Sequence, residues 1–299
     1  MELSVVVPTL NARDELADCL NALTEFAPGA EVIVVNGPSA DGTTGMVRDR
    51  DDVDVLVELA DRTINAARNA GIERARGETI AFVNHTLSIS DSWREAVREG
   101  LTAGDVVTGP TTAGLEEETT EGPELTSIAG RAITFLNPGN FAFRAEVTEA
   151  LDGFDEYLDI GGARDFAHRL AASEFEVHWD DAMGVSRDIG TDGGELEVDR
   201  GWKYRSLAYR LVKNYNLRPG VVRRLLSHAS GDAYRELRAV VRGDTRPSNW
   251  FGAGRNVITG LVGGTRAGLG ARRHDGGHRR NPNGRSSRAD RAVTVYDWR

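Results

Sequence analysis

The sequence predicts an α/β fold, in which a mainly parallel central sheet is covered by helices and is followed by a basic helical C-terminal region. The first observation is that short apolar runs of strand type alternate with stretches of helical spacing, such as Leu16, Leu20 and Leu23. The second is that residues 1–199 hold 40 Asp and Glu against 14 Lys and Arg, whereas residues 200–299 hold 6 against 22. The alternation predicts helices on both faces of a parallel sheet, and the charge asymmetry indicates two regions with different partners.

Each element of the first part follows from its own pattern. Continuous apolar, β-branched runs predict strands at 3–8, 31–35, 53–57 and 79–83. Helical spacing between these runs predicts helices near 12–25, 41–50 and 63–76. Because ligands on such sheets bind at the carboxyl ends of the strands, we expect the site in the loops after residues 8, 35 and 83.

The rest of the chain is less regular. Further strands are predicted near 105–109, 138–143 and 175–179, and helices near 90–102, 144–151 and 162–173. A Thr-, Gly- and Glu-rich loop spans 110–125, and from residue 198 two or three basic helices follow, broken at Pro219-Gly220 and at Gly231. We therefore expect a main domain over 1–197, a basic helical region over 198–271 and an arginine-rich tail over 272–299. The tail is expected either to be solvated or to dock on the acidic domain of its own chain.

Composition narrows the class of protein. The net charge is −10, and Lys203 and Lys213 are the only lysines, a usage that indicates a high-salt cytoplasm because dense carboxylates keep a surface hydrated where charge repulsion is screened. The single Cys19 excludes an intramolecular disulfide. No apolar run reaches the roughly 18 to 20 residues of a membrane span, and no basic leader precedes the first strand. We expect a cytoplasmic protein, with the basic third suited to the inner face of an anionic membrane.

Three segments in order carry a resemblance to a known family. "VVVPTLNARDELADCLNAL", "EVIVVNGPSADGTTGMV" and "NAARNAGIERARGETIAFVN" resemble the nucleotide-sugar-binding half of family 2 glycosyltransferases, which have the Rossmann-like glycosyltransferase A fold. "NPGNFAFRAEVTEALDGFDEYL" at 137–158 resembles the acceptor-side segment that follows. Together with the acid-rich composition, the resemblance implies a haloarchaeal enzyme that uses a nucleotide-sugar.

The resemblance also implies the residues that bind the substrate. Pro8, Thr9 and Asn11 belong to the loop after the first strand, which contacts the nucleoside in the family. Asn36 stands where the family has an acid after the second strand, and its side-chain carbonyl can still accept a hydrogen bond from a base. For Ser39 and Asp41, ligand contact and a role as helix caps stay equally open.

Two further positions follow from the third segment. Arg68 and Asn69 fall on the family's "ARN" segment, which faces the nucleotide. The alternative is that Arg68 is a surface arginine on a helix.

The metal-binding motif of the family is altered here. Its Asp-X-Asp triplet falls on Asn84-His85-Thr86, and Asn84 would still contact the substrate. Mg²⁺ and Mn²⁺ favour anionic oxygen ligands, so this is a weak or absent site for Mg²⁺, although the imidazole could ligate Mn²⁺. Three readings stay open: His85 ligates a metal, protonated His85 stabilises the leaving diphosphate directly, or the triplet is not catalytic and His85 only ends a strand.

The catalytic base of the family is displaced as well. Anchoring the resemblance on Arg169-Leu170 puts Gly162-Ala163 at the usual acidic pair and leaves Asp165 as the first candidate base. Asp155 and Glu156 are other carboxylates near the acceptor side. Asp165 lies one helical turn from Arg169, so it could equally form an ion pair on a helix face.

These expectations favour an inverting glycosyltransferase. It would move a sugar from a nucleotide-sugar to a membrane-associated acceptor, such as a polyisoprenyl-phosphate-linked one, or to a glycan in surface glycan or glycoprotein assembly. The alternative is a catalytically inactive subunit of the same fold that binds or scaffolds a partner glycosyltransferase. Nucleic-acid binding is disfavoured because no recognised module accompanies the arginine-rich tail.

Overall fold

A computed structural model describes residues 2–112, 120, 122–187, 200–242, 247–275 and 279–299. The chain divides into two compact units. The first unit comprises Met1–Leu125, Thr134–Asp192 and Asn283–Arg299, and the second comprises Thr126–Ile133 and Gly193–Pro282. The predicted boundary at 197/198 lies outside the described residues.

The first unit is an α/β domain. Its helices are α1 (Arg13–Phe26), α2 (Thr43–Arg48), α3 (Ile64–Ile72), α4 (Trp93–Ala103), α5 (Ala145–Leu151) and α6 (Gly162–Leu170). Its strands are β1 (Leu3–Thr9), β2 (Glu31–Asn36), β3 (Val55–Leu59), β4 (Thr79–Val83), β5 (Ser88–Ile89), β6 (Val106–Thr108) and β7 (Thr111–Thr112). They are followed by β10 (Asn140–Arg144), β11 (Val177–Trp179), β12 (Val185–Ser186) and β13 (Ala292–Asp297). Between β7 and β10, strands β8 (Glu124–Ile128) and β9 (Arg131–Phe135) pair as a hairpin, of which Thr126–Ile133 belong to the second unit.

The central sheet has eight strands in the order β11-β6-β10-β4-β1-β2-β3-β13. The contiguous strands β4, β1, β2 and β3 are parallel, while β10 and β13 run antiparallel to their neighbours. This confirms the predicted α/β class with a mainly parallel sheet. Strands β5, β12 and β7 form a small second sheet in the order β5-β12-β7. Of these strands, only β7 falls within the stretch predicted as a loop over 110–125, of which residues 113–119 and 121 lie outside the described part.

Both faces of the sheet are buried, which explains why the strands read as continuous apolar runs. Val5 and Val7 of β1 pack on one face with Leu16 of α1, while Val6 packs on the other face with Phe82. The second face is rich in stacked phenylalanines, and the rings of Phe82 and Phe141 lie 5.1 Å apart. Helices that cover both faces leave the strand ends free, and the cavity described below lies at their carboxyl ends.

The end of the chain belongs to the sheet. Strand β13 pairs with β3 along the sheet edge, and the backbone N–H of Trp298 donates to Asp54 O at 3.0 Å. Of the stretch predicted as an arginine-rich tail over 272–299, residues up to His274 continue a helix of the second unit, and residues 283–299 belong to the acidic first unit. The reason is that β3 would otherwise offer an unpaired edge, which β13 covers.

Among its described residues, the second unit has three helices, α7 (Arg200–Tyr215), α8 (Pro219–Arg242) and α9 (Pro247–His274). Pro219 begins α8, as its fixed φ angle allows at a first helical position, but the predicted break at Gly231 is wrong because α8 continues through it. A single glycine costs a helix only about 1 kcal/mol. Across the described residues, no helix combines the length and the hydropathy needed to cross a bilayer.

Glycine spacing lets α7 and α9 approach closely. Gly260, Gly264 and Gly268 lie four residues apart on one face of α9. A Cβ atom at Gly264 would collide with the carbonyl oxygen of Arg205, and one at Gly268 would lie 2.7 Å from the carbonyl oxygen of Tyr209. The apolar, glycine-rich stretch therefore serves to pack helix on helix within this unit.

Candidate functional site

A cavity with about 560 Å³ of empty space opens at the carboxyl ends of the parallel strands. It is lined by the loops that follow β1, β2, β3 and β4, by the start of α3 and by Pro138. Of the residues expected from sequence to bind or react, five line it: Pro8, Thr9, Arg68, Asn84 and His85. The position at the strand ends fits a small-molecule site.

Arg68 is a buried positive group in the wall of this cavity, which Arg62 also lines. Its side chain is 3% exposed, and its guanidinium lies 5.0 Å from the centroid of the Phe154 ring. It donates to the carbonyl oxygen of Pro138 at 2.6 Å and to Asn65 Oδ1 at 3.5 Å. Arg68 is thus buried, and the alternative prediction that it is a surface arginine on a helix is wrong.

Arg68 also lacks a counter-charge. Within the described part of the chain it forms no ion pair, and its Nε atom is buried without a hydrogen-bond partner. Burial lowers the pKa of Arg68 to about 10, so the guanidinium stays charged at neutral pH. A buried cation with only neutral partners is costly unless an anion binds beside it.

A second polar atom of the cavity is also unpartnered. Thr9 is 5% exposed, and its Oγ1 atom has no hydrogen-bond partner among the described residues. Buried hydroxyl groups are usually hydrogen-bonded. Thr9 and Arg68, which both line the cavity, therefore each carry a polar atom that makes no hydrogen bond to the described residues.

His85 is held as a neutral imidazole. Its Nδ1 atom lies 3.0 Å from the carbonyl oxygen of Pro8, and because a carbonyl can only accept, Nδ1 carries a hydrogen, so that Nε2 is an acceptor in the neutral form of the ring. Burial lowers the pKa of His85 below its ordinary value, while the Pro8 carbonyl opposes that shift. In this state, His85 carries no positive charge at neutral pH.

The residues that flank His85 do not complete a metal site. Asn84 Oδ1 accepts hydrogen bonds from the backbone N–H of Thr86 at 3.2 Å and from its hydroxyl at 3.4 Å. Across the residues with described positions, no group of three His, Cys, Asp or Glu side chains is arranged to hold a metal ion. Since Mg²⁺ and Mn²⁺ prefer several anionic oxygens, this donor set does not fit either ion.

Four of the remaining predicted binding residues form a network behind the cavity rather than in its wall. Ser39 Oγ donates to Asn36 Oδ1 at 2.7 Å and accepts from the backbone N–H of Asn11 at 2.8 Å. Asp41 accepts from the backbone N–H groups of Arg13 at 3.0 Å and Thr43 at 3.1 Å. These bonds tie the loop after β1 to the loop after β2, while the N-cap position of α2 is Gly42 rather than Asp41. Their contact with a substrate stays a prediction.

The side chain of Asn69 is also occupied by hydrogen bonds within the protein. Its Nδ2 atom donates to the carbonyl oxygen of Phe154 at 2.9 Å and to Glu156 Oε1 at 2.6 Å, and its Oδ1 accepts from the backbone N–H of Phe154 at 2.8 Å. Asn69 does not line the cavity. It fastens the segment around Phe154 to α3, and that segment supplies the ring under Arg68.

Asp165 lies outside the cavity. The residue is fully buried, and its Oδ2 atom pairs with Arg169 Nε at 2.9 Å. Arg169 also donates to the carbonyl oxygens of Leu151 and Gly153. Asp165 thus forms the ion pair with Arg169 that was its alternative role. Its role as a base stays a prediction, and that role requires the ion pair to open.

Asp61 is the cavity residue that sequence reasoning missed. It follows β3 and is the one carboxylate among the described residues that line the cavity. Its Oδ2 atom accepts from Arg288 at 2.6 Å, while no described residue donates to its Oδ1. The signal that could have found it is its place at the carboxyl end of a third parallel strand.

The chain matches the family model "Glycosyl transferase family 2" over residues 4–152. Glycosyltransferase AglE of Haloferax volcanii is 29% identical over 195 residues, which cover 59% of this chain and 59% of that relative. The chain thus spans well under two thirds of the length of this curated relative.

Solved structures show the same fold. A complex of Staphylococcus aureus TarS 1-349 with UDP-GlcNAc has a TM-score of 0.62 at 16% identity, covering 91% of this chain and 85% of that one. The mannosyltransferase PcManGT of Pyrobaculum calidifontis, in complex with GDP-Man and Mn²⁺, has a TM-score of 0.57 at 16% identity, covering 87% and 86%. The chain belongs to family 2 of the glycosyltransferases, and its first unit has their fold.

Proposed function

We propose that this family 2 chain transfers a sugar from a nucleotide-sugar to an acceptor hydroxyl. The observation that carries the proposal is Arg68, a buried cation in the wall of a cavity at the strand ends, for which the described residues supply no counter-charge. A diphosphate bound beside the Arg68 guanidinium would supply the missing negative charge. The solved relatives hold UDP-GlcNAc and GDP-Man, which supports a nucleoside diphosphate sugar as the ligand here.

The transfer would be an inverting substitution. The acceptor oxygen forms a bond to the anomeric carbon, the bond from that carbon to the diphosphate oxygen breaks, and a base takes the acceptor's proton. Arg68 would stabilise the charge that develops on the departing diphosphate. Asp165 remains our candidate base, and the test is whether Asp165→Asn retains donor binding while it loses transfer.

His85 would take part by gaining a proton when the donor binds. A diphosphate beside the imidazole favours the charged form and opposes the effect of burial. We therefore expect proton uptake on nucleotide binding near neutral pH, measured by titration calorimetry in buffers with different ionisation enthalpies. His85→Ala should abolish the uptake, and uptake that persists in this variant would refute the role.

The acceptor is proposed to be membrane-associated, either lipid-linked or a glycan under assembly. In the second unit, Val222, Leu226 and Leu237 of α8 are exposed apolar residues, and the neighbouring Arg223 and Arg238 are exposed as well. An apolar stripe beside arginines suits the surface of an anionic bilayer. A peripheral location at the inner face of the cell membrane would follow from it.

The source is proposed to be a halophilic archaeon. The excess of carboxylates and the two lysines agree with a relative from Haloferax volcanii. Purification and assays should therefore use multimolar KCl, in which an acidic surface of this kind stays hydrated.

Titration calorimetry against UDP, GDP and their sugars, with and without Mn²⁺, tests the donor half of the proposal. We expect micromolar to millimolar binding, weakened in Arg68→Met. Binding without transfer to any acceptor would favour an inactive subunit that supports a partner glycosyltransferase. An absence of nucleotide binding under every condition would refute the donor assignment.

A further inference from the structure

The C-terminal segment 283–299 reaches the wall of the cavity from the far end of the chain. Strand β13 anchors it on β3, and the backbone N–H of Arg285 donates to the carbonyl oxygen of Asp152 at 2.8 Å. Ser286 adds two bonds to the Asp152 carboxylate, from its backbone N–H at 2.9 Å and its hydroxyl at 2.6 Å. Both ends of the segment are therefore fixed to the first unit.

Two arginines of this segment organise three carboxylates. Arg291 is 1% exposed as a residue and pairs with Glu73 and with Glu156. Arg288 Nε donates to Glu156 Oε2 at 2.9 Å, and its Nη2 donates to Asp61 Oδ2 at 2.6 Å. Arg288 thus joins a largely buried carboxylate, Glu156, to the carboxylate that lines the cavity.

The pairing leaves one oxygen of Asp61 for a ligand. Oδ2 is held by Arg288, while Oδ1 accepts from no described residue, and the side chain is 36% exposed. A carboxylate fixed in this way can accept a hydrogen bond from a hydroxyl or an imino N–H group. The guanidinium also offsets the charge of Asp61, which would otherwise repel an anionic ligand in the same cavity.

We propose that Arg288 is a positioning residue, which fixes Asp61 as the acceptor for a hydroxyl or imino N–H group on the nucleoside part of the donor. The inference rests on the proposed function, since it takes a nucleotide as the ligand of this cavity. It makes the C-terminal segment part of the donor site, although that segment begins some 130 residues after the family model ends at residue 152.

The test is a double-mutant cycle in the full chain with UDP, UMP and GDP as probes. We expect Arg288→Met to weaken binding of the preferred nucleotide about tenfold, the size of one charge-assisted hydrogen bond lost. If the chain binds uridine nucleotides, Arg288→Met should weaken the binding of UDP and of UMP by the same factor, because Asp61 would contact the nucleoside. Asp61→Ala should weaken binding at least as much, and adding Arg288→Met to it should have no further effect.

Arg299→Met is the matched control. Arg299 lies in the same segment and pairs with Glu31 and Asp297, and it does not line the cavity. It should leave nucleotide affinity unchanged. Arg288→Lys, which keeps the charge, should restore part of the affinity, and it provides the measurement if the methionine variant does not fold.

Three outcomes would overturn the inference. One is wild-type affinity in Arg288→Met, and another is an equal loss when the same change is made in the Asp61→Ala background. The third is a loss shared by Arg299→Met, which would indicate a general effect of the segment on stability. If the wild type binds none of the probes, the proposed function itself fails and this inference fails with it.

Discussion

Replacing Arg68 by Met separates the two roles that a buried arginine can have. If the guanidinium serves to bind an anion, its removal should cost nucleotide affinity and little stability. If the guanidinium instead serves to hold the fold, its removal should cost stability and little nucleotide affinity. Met has a similar length and no charge, so it can fill the space that the guanidinium occupies over the rings of Phe82, Phe141 and Phe154.

The expected stability change is small because opposing contributions nearly cancel. A pKa of about 10, against an ordinary value of 12.5, corresponds to roughly 3 kcal/mol that burial costs the charged form. Against this stand the hydrogen bond to Pro138 at 2.6 Å, worth about 1.5–3 kcal/mol for a charged donor, and the contact with Phe154 at 5.0 Å, worth about 1–2 kcal/mol. The free energy of unfolding of Arg68→Met should therefore stay within about 2 kcal/mol of the wild type.

Affinity should change more. One or two charge-assisted hydrogen bonds to a diphosphate are worth about 1.5–3 kcal/mol, which corresponds to a roughly 10- to 150-fold increase in Kd. Urea denaturation and titration calorimetry on the same preparations measure both quantities, and Arg98→Met, at an exposed site on α4, is the control for loss of one arginine. A stability loss above about 3 kcal/mol with unchanged nucleotide affinity would refute the reasoning.

Three further predictions concern stability, and each is measured by equilibrium denaturation. Gly264→Ala should destabilise the packing of α7 on α9 by about 1–3 kcal/mol, whereas Gly263→Ala, where a Cβ meets nothing within 4 Å, should stabilise α9 by up to about 1 kcal/mol; equal effects would contradict the packing. Arg291→Met removes the shared partner of Glu73 and Glu156, of which Glu156 keeps Arg288, and should cost about 1–3 kcal/mol, while the exposed Arg98→Met should have no measurable effect. Because burial lowers the pKa of His85 below 6.5, the unfolded state binds its proton more readily, so stability should fall as the pH drops below about 6.5; His85→Gln should reduce that dependence, and an unchanged pH profile would count against the buried neutral imidazole.

Much of the fold followed from local patterns. The runs at 3–8 and 79–83 were predicted as strands, and they appear as β1 and β4 because a strand buried on both faces must be apolar along its whole length. The location of the cavity followed too, since the carboxyl ends of parallel strands meet at one edge. The error at Gly231 shows the limit of a local rule: the cost of one glycine is small beside the packing that holds the rest of α8.

The candidate site was predicted in part. Pro8, Thr9 and His85 were expected there and line the cavity. Asn69 was expected as well, but its amide is used by the backbone of Phe154 and by Glu156. Consecutive residues on a helix point in directions about 100° apart, so neighbours such as Arg68 and Asn69 cannot both face one cavity to the same extent.

The sequence by itself determined the order of strands and helices, the charge division of the chain and the set of loops that meet at the cavity. Only the tertiary structure decided that Arg68 is buried with no counter-charge among the described residues, and that Asp61 is held by Arg288 from 227 residues away. The physical reason is that hydrophobic periodicity reports which face of an element is buried, whereas the partner of a charged group depends on segments that folding brings together from distant parts of the chain.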